Sequence, residues 1–103
     1  MLTNAAIEGF KKFIESNIAY AKVVIGGKTE KLEINRKERL KDGKIAIYIS
    51  ITPEASSAVT LTKVQLYDNN NDLWAEKNEN IPIKAVQEGL LYRFKFDFKE
   101  MEG

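Results

Sequence analysis

Apolar positions recur with two different periods along this chain. Near the start, Ile7, Phe10, Phe13, Ile14 and Ile18 are spaced by three and four. That spacing places them on one stripe of a helix over residues 3–17. Lys11, Lys12 and Glu15 fall on the other side. Thr3 or Asn4 can accept hydrogen bonds from the orphan N–H groups of the first turn, and Glu8 suits the positive end of the helix dipole. Ser16-Asn17 ends the element. Gly9 costs up to about 1 kcal/mol against alanine in a helix interior, a cost that close approach to another backbone would explain.

From residue 19 the period becomes two, the mark of half-buried strands. Ala19, Ala21, Val23 and Ile25 oppose Tyr20, Lys22 and Val24. Gly26-Gly27 tolerates the positive φ of a tight hairpin, and residues 28–35 return with Leu32 and Ile34 inward. Residues 36–43 read as a charged connection ending in the turn pair Asp42-Gly43. Ile45, Ile47, Ile49 and Ile51 then alternate with Ala46, Tyr48, Ser50 and Thr52, until Pro53 removes a ladder donor. Residues 54–58 are a polar loop.

Val59 and Leu61 point one way, Val64 and Leu66 the other. A β-bulge near Thr62-Lys63 reconciles the two phases. Asp68 to Asp72 forms a turn and residues 73–77 return as a strand. Ile81, Ile83 and Ala85 make a short strand whose Pro82 suits a sheet edge, and Glu88-Gly89 turns the chain. Tyr92, Phe94, Phe96 and Phe98 alternate with Arg93, Lys95, Asp97 and Lys99. Burial of the three phenylalanines contributes about 1.5–3 kcal/mol each. One sheet cannot cover this many apolar faces. The expectation is a mainly β (α+β) fold in one domain, residues 1–103. It is an antiparallel β-sandwich of about seven strands over 19–99, with one N-terminal amphipathic helix against its end or side.

Composition removes whole classes of chemistry. The 103 residues include no Cys and no His. Disulfides, thiol or imidazole nucleophiles, and zinc sites built from those ligands are excluded. The net charge of +1 gives no field to hold the chain on nucleic acid or an anionic membrane. Residues 1–52 carry ten Lys/Arg and six Asp/Glu, whereas 53–103 carry six and nine. Two opposed charged faces of this kind would steer a head-to-tail assembly. No segment reaches the ~18 apolar residues of a membrane span. The start lacks the basic and apolar regions of a secretory signal, so synthesis in a bacterial cytoplasm is expected.

Asp68, Asn70, Asp72 and Glu79 occupy positions 1, 3, 5 and 12 of a calcium-loop pattern. Leu73 stands where that loop needs glycine, so a plain Asx-rich hairpin turn is the better reading. Glu76, Glu79, Glu88 and Asp97 offer carboxylates for glycoside hydrolysis but no motif joins them. No catalytic residue, metal or cofactor is assigned. Residues 31–44 hold six Lys/Arg and three acids, with Tyr48 just beyond. Lys37 and Arg39 would lead any contact of that stretch with nucleic acid, which is not the favoured partner. Trp74, the only tryptophan, is either a partner anchor or part of the core. Trp74, Tyr67 and Tyr48 could instead be stacking platforms for a glycan.

The opening MLTNAAIEGF resembles the start of a group of phage and prophage tail proteins that begin Met-x-Thr-Asn-x-Gly with an amphipathic helix. AYAKVVIGG, residues 19–27, matches their following strand and glycine turn. IYISITPEASSAVTLTKVQLYDNNNDLWAEKN, residues 47–78, is similar to their strand–turn–strand run, with residues 64–75 the most specific part, and residues 91–98 match the closing strand. Lys63-Val64-Gln65-Leu66 replaces the group's Glu-Val-Gly-Leu, and Gly26-Gly27 its Gly-x-Gly. The resemblance implies a non-enzymatic structural protein of a tail or baseplate, incorporated into a virion. Its partners would be other tail proteins or further copies of itself, with Trp74, Tyr48, Tyr67, Lys37 and Arg39 as candidate contacts. The alternative is a stand-alone β-sandwich module for a glycan or small ligand.

Overall fold

Thr3 starts the helix by accepting the Ala6 N–H on its side-chain oxygen at 3.1 Å. The computed structural model describes residues 3–52, 58–84 and 89–97. Helix α1 runs Asn4–Asn17 and delivers the chain into β1, Ile18–Ile25. Six strands follow among the described residues: β2 Lys28–Glu33, β3 Arg36–Arg39, β4 Ile45–Ile51, β5 Val59–Asp68, β6 Leu73–Ile83 and β7 Leu90–Phe96. They form two antiparallel sheets. One has the order β2-β1-β5-β6, the other β3-β4-β7.

The two sheets face each other across one core. Ala21, Val23, Ile25, Leu61, Val64 and Leu66 close it from the larger sheet; Ile45, Ile47, Ile49, Ile51 and Tyr92 close it from the smaller. Ile14 and Ile18 bring α1 into the same cluster, with Phe94 and Phe96 half-buried against it. Gly26 and Gly27 take φ of 58° and 78° in the β1–β2 turn, a region that disfavours a side chain. A Cβ at Gly26 would also come within 3.1 Å of Val59. The bulge falls where the phase break requires it. Val24 pairs with Lys63 but Ile25 with Leu61, so Thr62 is the extra residue, and Leu61, Val64 and Leu66 all point inward.

Four expectations are corrected. The apolar stripe of α1 does not all face the core: Ile14 and Ile18 do, while Phe10 and Phe13 are exposed. Ile18, not Ala19, is the first buried residue of β1, because the ladder to β5 is irregular between Ile18 and Tyr20. The charged connection contains a strand, β3, paired to β4 from Arg36↔Tyr48 to Arg39↔Ile45. The two short strands expected at 73–77 and 81–85 are one, β6, carried past Asn78 by its ladder to β5. Pro82 does lie on an edge strand. Pro53, residues 54–57, Ala85, Glu88, Phe98 and Lys99 lie outside the described residues.

Beyond the core, Tyr92 of β7 donates from its hydroxyl to Glu79 of β6. This bond ties the two sheets at the side where β6 is an edge.

Candidate protein-contact surface

Three local structures decide which side chains are left for a partner. The first consumes the basic residues of β3. Lys37 is half-buried and its Nζ donates to the carbonyls of Glu15 (2.5 Å) and Ile18 (2.6 Å). Glu15 lies in the last turn of α1 and Ile18 is its C-cap, where carbonyls lack helical partners and the dipole is negative. Burial lowers the Lys37 ammonium below its ordinary range, against the opposite pull of Glu15. Arg39 takes Glu15 in a two-pronged bond, Nε and Nη2 at 2.9 Å, and Glu8 through Nη1 at 2.6 Å. The Arg39 bond holds the Glu15 carboxyl below its usual range despite some desolvation. Glu8 therefore serves Arg39, not the helix dipole, and lies beyond the first turn. Lys37 and Arg39, expected as outside contacts, instead clamp the helix to the sheet.

The second structure is the β5–β6 turn. Asp68 is buried and its Oδ1 accepts the N–H groups of Asn70 (2.8 Å) and Asp72 (3.0 Å). Its Oδ2 accepts the Trp74 indole N–H at 2.8 Å. The Asp72 N–H leads these in holding the carboxyl below its usual range, outweighing burial. Asn71 takes the positive φ of 65° that the turn demands, and the Tyr20 hydroxyl donates to its side chain. Asn69 fastens the turn to α1 through bonds to the Asn17 and Ser16 carbonyls. Glu79 instead accepts from Tyr92, so the calcium-pattern carboxylates do not converge. Among the described residues no group of three or more acidic side chains could hold a metal ion.

A depressed folded pKa gives stability that is present above the unfolded carboxylate value and lost as pH falls through the folded one. Acidification below about pH 4 is therefore expected to release the turn. Trp74 emission should shift in that range before far-UV circular dichroism changes. In Asp68→Asn the side chain cannot titrate and the shift should vanish. An identical shift in both proteins would remove Asp68 as its cause.

The third structure is what these two hold in place. Fixed by Asp68, the Trp74 ring lies 5.4 Å from that of Phe13, tilted by 35°. Phe13 is 50% exposed, Phe10 43% and Trp74 39%. Ala6, Gly9, Phe10 and Phe13 line a shallow apolar groove along α1. This aromatic face, continuous from α1 to β6, was not legible as outward-facing. The available signal was Ala6 and Gly9 beside the phenylalanines, small residues that no core stripe needs.

The remaining candidates are elsewhere. Tyr48 is buried on the outer side of β4 with the Arg36 guanidinium 4.1 Å over its ring. Tyr67 stacks on Tyr20 at 5.2 Å, and Lys22 and Lys31 cover the pair. Neither ring is an open platform. Trp74 is thus the one named aromatic that joins an exposed surface. No described helix is long and apolar enough to cross a membrane. The chain matches no family model, no curated protein and no solved structure.

Proposed function

We propose that the protein is a non-enzymatic assembly component that works by protein–protein contact, within a phage or prophage tail. The observation that carries the contact reading is the exposed aromatic face of Phe10, Phe13 and Trp74, held rigid by Asp68 and by the Lys37–Arg39 clamp. Buried aromatics normally dominate contact energy because they bring large area at low entropic cost. Preorganising them before binding removes part of the ordering cost. An exposed apolar patch with polar surroundings is a common mark of such a surface. The tail context rests on the order of elements and on residues 64–75, whose strand, Asx turn and Trp74 build one side of the face.

The test is co-sedimentation with tail particles from induced source cells, at constant protein concentration. The unmodified protein is expected in the pellet, and Phe13→Asp depleted from it at least tenfold. Lys77→Ala, on an exposed position of β6, should pellet normally. Equal recovery of all three, or of none, overturns the reading.

A further inference from the structure

We infer that the free edge of β7 is a docking site for an extended segment of another protein, one that alternates acidic and apolar residues and joins the smaller sheet as its fourth strand. This contact is separate from the aromatic face and does not rest on it.

A sheet edge offers unpaired N–H and C=O groups to any strand that comes alongside, so folded proteins normally blunt their edges. Among the described residues the edges are β2 and β6 of one sheet, β3 and β7 of the other. The first three are blunted. β2 turns a charge inward, since Glu30 stands opposite the buried Val23. β3 has four residues, all charged, and Lys37 and Arg39 tie it to α1. β6 holds Pro82, which cannot donate, and turns Lys77 inward opposite the buried Val64. On its core side β7 has none of these devices. Its seven residues include no proline and follow β4 from Leu90 to Phe96 without a register shift. Leu90, Tyr92, Phe94 and Phe96 stand opposite the buried isoleucines of β4, so the inward face carries no charge.

There is also room. The larger sheet has four strands and the smaller three. Lys77 points to the core side of β6 yet is exposed, so no described strand covers β6 at that level. A strand laid beside β7 fills this place. It pairs its backbone with alternate residues of β7 and covers the half-buried Phe94 and Phe96.

Charge selects the occupant. Arg93 and Lys95 stand on the outer side of β7, both exposed. Arg93 lies opposite Tyr48, the same ring that carries the Arg36 guanidinium. The acids of this neighbourhood are already engaged: Glu38 with Arg36 and Tyr48, Asp42 and Asp97 with Lys44. Arg93 makes no ion pair among the described residues. The β7 of a second copy would bring Arg93 and Lys95 against the same two residues, and like charges directly opposite destabilise a ladder. A strand with Asp or Glu at its outer positions gives each of them a counter-ion instead. Its apolar residues, at the alternate positions, meet Tyr92, Phe94 and Phe96. The two charges thus close the edge to self-pairing and open it to an acidic strand.

The probe is a short capped peptide alternating glutamate and valine, titrated into isotope-labelled protein. It should bind and slow hydrogen exchange at alternate amides of β7. The same peptide with lysine for glutamate should bind at least tenfold more weakly. The double variant Arg93→Glu, Lys95→Glu should reverse that preference; both positions are exposed, so the fold is kept. Methylating the peptide nitrogens along one edge should abolish binding, and Phe13→Asp should leave it unchanged. No binding at near-millimolar peptide overturns the inference. Binding that protects no β7 amide overturns it too, as does equal affinity for the two peptides. Loss of binding in Phe13→Asp would move the site to the aromatic face. Protection of β7 amides that grows with protein concentration, without peptide, would seat a second copy there and overturn the choice of occupant.

Discussion

Lys37→Met should lower the unfolding free energy by about 2–3 kcal/mol, measured by urea denaturation near neutral pH. Methionine keeps the apolar stem but removes the ammonium, leaving the Glu15 and Ile18 carbonyls without their donor. Hydrogen bonds from a charged group contribute about 1.5–3 kcal/mol, and stranded acceptors add to the loss. Arg39→Ala should cost much less, although Arg39 makes more ion-pair contacts. Its partners are more open to solvent: Glu8 and Glu15 side chains are 44% and 30% exposed, so water replaces what the guanidinium gives up. Equal costs for the two variants would mean that Lys37 is not the principal tie between α1 and the sandwich. Because α1 carries Phe10 and Phe13, Lys37→Met should also weaken any contact made through that face.

The second large effect is expected at the tie between the sheets. Tyr92→Phe should cost about 1.5–3 kcal/mol at neutral pH, since it removes a bond to a carboxylate whose side chain is only 19% exposed. The pH dependence follows from the phenol. Burial, and then the Glu79 carboxylate, raise Tyr92 above its ordinary value of 10.0. A raised folded pKa means that the contribution is complete below the unfolded value and lost as pH rises above it. The stability gap between the native protein and Tyr92→Phe should stay constant up to about pH 9.5 and then narrow by pH 11. Groups common to both proteins cancel in the difference. A gap that is flat to pH 11 would show that Tyr92 ionises alike folded and unfolded.

The elements that sequence reading recovered are those whose period reflects a buried face. Ile45 to Ile51 and Tyr92 to Phe96 alternate because one side of each strand meets the core. The Thr62 bulge was legible because an inward run cannot change phase without an extra residue. Arg36–Arg39 was not, because this edge strand carries no apolar residue and draws its order from the β4 ladder and from α1. Asn78 and Asn80 hid the continuity of β6 for the same reason: backbone pairing, not side-chain preference, carries the strand through them. Helical spacing grouped Phe10 with Ile14 but could not give the width of the surface receiving the helix. Lys37 and Arg39 read as available charge in the sequence because a charge count does not see acceptors. Two of the acceptors, the carbonyls of Glu15 in the last turn of α1 and of its C-cap Ile18, are backbone atoms of a kind present at every helix end.

Strand order also sets the tempo of folding. The β1–β2, β3–β4 and β5–β6 ladders join neighbours in sequence, so each can close as a hairpin in roughly microseconds. The β1–β5 and β4–β7 ladders cannot: their nearest pairings are Ile25 with Leu61 and Ile51 with Leu90. Each sheet is thus completed only by closing a long loop, whose entropy must be lost before its contacts form. Folding then belongs with the slower, non-local β domains, in the range of milliseconds to seconds. Until β4 and β7 meet, one edge of the isoleucine-rich β4 is without its ladder partner. Aggregation during refolding should therefore depend on how quickly the last strand arrives rather than on the stability of the finished sandwich.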